Sequence, residues 1–100
     1  MTALHLSAFN GHVRAVETLL EFGIDVDIPD SRRRTALHIA CHVGNIQIVA
    51  LLLQEAAGTE VMDSNGYTPL HIACQTGNNE IVRLLLRSGS NLDTRVGGTS

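Results

Sequence analysis

The sequence predicts an all-α solenoid of stacked helix–turn–helix pairs, and three observations carry that expectation. A single period of 33 residues runs through nearly all of the 100-residue chain. Each period holds two short stretches whose apolar residues recur at helical spacing. Hydrophobic residues make up 44% of the chain, yet aromatics only 3%, with no Trp. A core must therefore be built from Leu, Ile, Val and Ala, the residues of closely packed small helices.

The period is read directly from the residues. Thr2-Ala3-Leu4-His5 returns as Thr35-Ala36-Leu37-His38 and as Thr68-Pro69-Leu70-His71, 33 residues apart each time. The same frame aligns Gly11, Gly44 and Gly77, then His12, Asn45 and Asn78, then Val16, Val49 and Val82. It also aligns the pairs Leu19-Leu20, Leu52-Leu53 and Leu85-Leu86. One short motif can recur by chance; a phase held through the chain cannot. The units run over about 2–34, 35–67 and 68–100, in a single domain of residues 1–100.

The second unit shows the anatomy. Thr35 suits an N-cap, where its hydroxyl can take a free amide of the first turn. In the third unit Pro69 follows the cap, where a missing N–H costs nothing. A first helix is expected over 36–42, with Leu37, Ala40 and Cys41 on one face. Gly44 breaks it, and a second helix over 46–55 carries Ile46, Val49, Leu52 and Leu53 as its apolar stripe. Between units lie turn-rich segments. The clearest is Asp63-Ser64-Asn65-Gly66, since Asn-Gly readily supplies the positive φ angles of a tight hairpin. No unit can bury both helices alone, so neighbours must cover one another, and the sandwiched second unit should be the most stable.

Helix–turn–helix–hairpin in 33 residues, headed by Thr-Pro/Ala-Leu-His-x-Ala, resembles the ankyrin repeat over essentially the whole chain. The resemblance implies helix pairs stacked side by side, hairpins projecting as fingers, and a concave face formed by fingers and first helices. The chain departs from the family pattern in places. Gly23 and Gly89 sit where the second helix ends, but the second unit has Ala56 there and Gly58 two residues on, so its second helix is expected to be longer by about two residues. Arg33 stands where Gly66 stands one unit later, which suggests a less ideal or different turn. Asp27, Glu60 and Asp93 occupy a loop slot where the family usually has Asn. Gly97-Gly98-Thr99-Ser100 reads as a turn leading into another unit, and the chain as a section of a longer array.

Composition and motifs argue against chemistry. A net charge of −3 lacks the basic excess of a nucleic-acid binder. The longest apolar run, 48–53, falls far short of the roughly 20 residues that span a bilayer. No secretory signal is expected, and the expected compartment is intracellular, cytoplasmic or nuclear, with reduced thiols. His5, His38 and His71 stand on successive stacked units, too far apart to share a metal. They are expected to tie loop to helix cap. Cys41 and Cys74 read as small core residues that form no disulfide. His38, Cys41 and His42 have zinc-ligand types at close spacing, but the repeat already claims two of them and no fourth ligand is evident. Cys41 beside His42, and Ser7 near His5, lack a third group to orient a base. No catalytic, cofactor-binding or metal residue is assigned.

The expected function is non-enzymatic: a scaffold or adaptor that binds another protein, as a monomer or as part of a longer chain. The alternative is a regulatory or targeting segment of a larger enzyme, channel or receptor. Arg32-Arg33-Arg34, the one dense charge run, is either a solvated hairpin tip or a docking point for an acidic segment or phosphate. With framework residues committed to stacking, the resemblance leaves Arg32, Arg34, Ser64, Asn65 and Tyr67 free at the fingers. It leaves His42, Val43, Gln75 and Thr76, with Phe9, free on the first helices.

Overall fold

The computed structural model describes residues 1–89. Among them are six helices: α1 (Ala3–Phe9), α2 (Val13–Glu21), α3 (Ala36–Val43), α4 (Ile46–Gln54), α5 (Pro69–Thr76) and α6 (Asn79–Arg87). Each first helix packs on its own second helix. The first helices α1, α3 and α5 form one row, and α2, α4 and α6 form another.

The row of first helices is the more closely packed of the two. Its buried faces carry Ala8, Ala36, Ala40, Cys41 and Ala73, which let backbones approach. The second helices meet through larger residues, Ile48, Leu52, Ile81 and Leu85. Tight spacing in one row and wider spacing in the other bends the stack, leaving the first-helix side concave. The core is continuous through all three units and densest in the second, where Ala36, Leu37, Ala40, Cys41, Ile48, Val49 and Leu52 are wholly buried.

All three first helices begin with the same reciprocal cap. The Thr hydroxyl accepts the amide of the histidine three residues on, and that histidine's Nδ1 accepts the Thr amide. The Thr-to-Nδ1 distances are 3.2 Å for Thr2–His5, 3.1 Å for Thr35–His38 and 3.1 Å for Thr68–His71. Histidine fills the role that Glu or Gln more often takes. Asn45 and Asn78 cap α4 and α6 by accepting the amides of Ile48 and Ile81; His12 makes no such bond at α2.

Four sequence expectations need correction. The second helix of unit two is not longer: α2, α4 and α6 each have nine residues and hold the 33-residue phase. Ala56 itself takes the left-handed position, at φ 59°, where Gly23 and Gly89 have φ 78° and 95°. Arg33 does not change the turn either. At φ 62° it donates its amide to the Asp30 carbonyl at 3.0 Å, as Gly66 donates to Asp63 at 3.0 Å. In both places the neighbouring repeats fix the backbone, and a local cost of about 1 kcal/mol is outweighed. Cys74 is exposed, unlike Cys41, because α3 lies between two first helices and α5, among the described residues, has one on one side only. Ile48, absent from the expected stripe, is wholly buried. The proposed turn at 97–100 and Asp93 lie outside the described residues.

Arg33→Gly and Ala56→Gly should each stabilise the fold by about 0.5–1 kcal/mol, because both side chains are exposed and only the left-handed strain is removed. Urea melts of the two variants check this; a loss of stability in both would mean that the left-handed geometry is not strained.

Candidate functional site

The fingers are built on two aspartates, Asp30 and Asp63. Asp30 Oδ1 accepts the amides of Arg32 at 2.9 Å and Arg34 at 2.8 Å, and its Oδ2 accepts from Arg34 Nε at 2.8 Å. Its side chain is only 2% exposed. Burial by itself would raise the Asp30 carboxyl, but the amides of Arg34 and Arg32 and the Arg34 guanidinium outweigh it and hold the group below the ordinary carboxylate range. Asp63 repeats the device, accepting the amides of Asn65 and Tyr67 at 2.9 Å each. Each finger is closed by a backbone bond from the aspartate amide, Asp30 to Arg34 O and Asp63 to Tyr67 O, both 2.9 Å. The fingers are tied to each other by the Ser64 amide on the Arg32 carbonyl, at 2.9 Å.

Histidines carry the fingers on the helix row. His5 Nε2 donates to the Arg34 carbonyl at 2.8 Å, and His38 Nε2 donates to the Tyr67 carbonyl at 2.9 Å. His5 and His38 thus each hold the finger that leads from their own unit into the next. At loop level Asp27 Oδ1 accepts the Gly58 amide at 2.8 Å, so the aspartate in the family's Asn slot still links neighbouring units.

Between fingers and first helices lies a groove of about 250 Å3. Five of the residues singled out in the sequence line it from the fingers: Arg32, Arg34, Ser64, Asn65 and Tyr67. His42 from α3 and Gln75 from α5 join them, with Phe9 at the end of α1. Val43 and Thr76, one helical position further on, do not line the groove; the Thr76 hydroxyl donates to the Ala73 carbonyl at 3.0 Å. Arg34 is not a bare tip, because Asp30 holds its guanidinium. Tyr67 is half-buried and meets His71 edge-on, with ring centroids 6.4 Å apart.

Sequence reasoning missed the groove's floor, Ile39 and Ile72, which are 3% and 8% exposed. Their signal was available: each stands three residues before His42 or Gln75 on the same helix face. It missed the two aspartates as well, although Asp30 and Asp63 share the repeat phase and Asp commonly bonds its own backbone two residues on.

Both ring nitrogens of His38 are committed, Cys41 is buried and His42 is exposed, so the close trio of the sequence does not converge. Burial pushes the Cys41 thiol up to about 12, far from a nucleophilic thiolate at neutral pH. Among the described residues no three His, Cys, Asp or Glu side chains are placed to hold a metal ion, and no helix is long and apolar enough to cross a membrane.

Three phased helix pairs with hairpin fingers define a repeat solenoid. The family model for ankyrin repeats (3 copies) matches residues 4–96, and the chain belongs to the ankyrin-repeat family. Domains of this family are generally protein-interaction modules and typically have no catalytic activity. A comparison with curated proteins gave no match.

Proposed function

We propose that this chain is a scaffold or adaptor module that binds its partner protein through the concave groove of fingers and first helices, inside the cell. The observation that supports this most is the separation of duties along the repeat. The Thr–His caps, the Asp30 and Asp63 anchors and the apolar stripe are consumed by folding, whereas Arg32, Asn65, His42 and Gln75 face the groove with their side chains exposed. Tyrosine and arginine beside an apolar floor are the residue types that most often dominate binding energy.

The test is a pull-down followed by calorimetry with the recovered partner. Tyr67→Ala should weaken binding by about 1–2 kcal/mol, and Arg32→Ala by about 1 kcal/mol with no effect on the melting of the free chain. Gln54→Ala and Arg87→Ala, on the second helices, should leave affinity unchanged. Loss at the second-helix positions with none at the fingers would place the partner on the opposite face.

A second reading, a section of a longer array that regulates or targets a larger enzyme, channel or receptor, draws support from Leu6. It is 49% exposed where its counterparts Ile39 and Ile72 are buried by a preceding unit. The full reading frame decides between the two: repeats packed upstream of Leu6 favour the second.

A further inference from the structure

The groove is chemically asymmetric. Its floor is aliphatic, Ile39 and Ile72, with the Phe9 ring half exposed at one margin. Its finger margin carries two guanidinium groups and one carboxylate, Asp63. That carboxylate is nearly buried and its Oδ1 already accepts two amides. Arg34 is balanced by Asp30. Arg32 is exposed, and among the described residues its guanidinium makes no ion pair or hydrogen bond. These four charges sum to zero, but both carboxylates are turned into their fingers and Arg32 is exposed and unpaired, so the charge that a ligand can reach in the groove is positive, on a chain whose net charge is −3.

That overall negative charge does not set the sign at the groove. Glu17, Glu21 and Glu80 stand on the second helices, and Glu55 caps α4. Exposed charges interact weakly beyond the screening length of about 8 Å at physiological salt. At the finger margin the near cation decides.

We propose that the groove takes an acidic peptide segment of the partner, with one carboxylate paired to Arg32 and an apolar side chain of the same segment seated on Ile39 and Ile72 beside Phe9. This rests on the concave-groove reading above and narrows it to a partner chemistry. A guanidinium presents a fork of donors that matches a carboxylate in two parallel hydrogen bonds. The adjoining apolar floor excludes water from one side of that pair, which strengthens it over an exposed surface bridge. Ser64, Asn65 and Gln75 supply neutral donors and acceptors for the segment's backbone.

The main chain of Arg32 is used, its amide on Asp30 and its carbonyl under the Ser64 amide, while its side chain is not. The residue can therefore be reversed in charge with the finger kept. The experiment is fluorescence anisotropy with two labelled octapeptide pools, one carrying two glutamates and a leucine, the other two lysines and a leucine, at otherwise random positions. The wild-type chain should prefer the glutamate pool by about tenfold, less so as salt rises. Arg32→Glu, checked for an unchanged circular dichroism melt, should lose that preference or invert it, and Ile72→Ser should weaken the glutamate pool. Equal binding of the two pools, a lysine preference, or an unchanged glutamate preference in Arg32→Glu would overturn the acidic assignment. If the lysine pool is preferred and Tyr67→Ala weakens it, the groove reading survives without the acidic partner. If neither Tyr67→Ala nor Arg32→Glu affects a pool that binds, both fail.

Discussion

Leu52→Ala is expected to cost about 3 kcal/mol, the largest loss from any single aliphatic truncation in the stack. Leu52 is wholly buried in α4, between α2 and α6, so removing three carbons opens a cavity that two rigid neighbours cannot close. Its counterpart Leu19 is only half-buried, and the same substitution there should cost about half as much. The comparison holds chemistry constant and varies only the number of neighbours, which is the property that a nearest-neighbour stack predicts. Urea denaturation of both variants measures it. Equal losses at Leu52 and Leu19 would contradict a core that depends on stacking.

His38→Ala should cost about 2–4 kcal/mol by a different route. The side chain is wholly buried and bonds the Thr35 amide and hydroxyl through Nδ1 and the Tyr67 carbonyl through Nε2. Truncation orphans these groups, frays the start of α3 and releases the second finger together. The same geometry makes stability depend on pH. Burial lowers the His38 pKa, against the Tyr67 carbonyl and the Asp63 charge, which favour the protonated ring. Protonated Nδ1 would also point a hydrogen at the Thr35 N–H. The unfolded chain titrates near pH 6.5 and so takes up a proton before the folded chain does. The contribution is complete above about pH 7 and is lost as pH falls through 6.5 toward the lower folded value. Melts at about pH 7 and about pH 5 should show this loss in the parent chain and a smaller one in His38→Ala. An identical pH dependence in the two would rule out His38 as its source.

What the residues disclosed and what they hid divide along one physical line. The period, the Thr–His caps, the glycine breaks and most of the apolar stripe are local features, and each could be read within one unit. Ile48 and Cys74 depend on whether a neighbouring unit covers them, which a reading of one helix does not contain. Arg33 and Ala56 carry a local penalty that stacking overrules, so propensity pointed to a changed turn and a longer helix where the structure keeps the common geometry. The groove was legible in its finger residues, because side chains outside the framework stood out against the repeat. Its floor was not, because Ile39 and Ile72 read as ordinary core. Arg34 looked like an open cation because its partner Asp30 belongs to the turn itself, four residues earlier.

The most direct test of the central claim is a hydrogen-exchange footprint of the chain with the partner recovered in the pull-down. Amides of the finger tips, at Arg32, Ser64 and Asn65, should gain protection together with the ends of α3 and α5 near His42 and Gln75, while α2, α4 and α6 exchange as in the free chain. Protection confined to the second helices, with the fingers unchanged, would contradict binding through the concave groove.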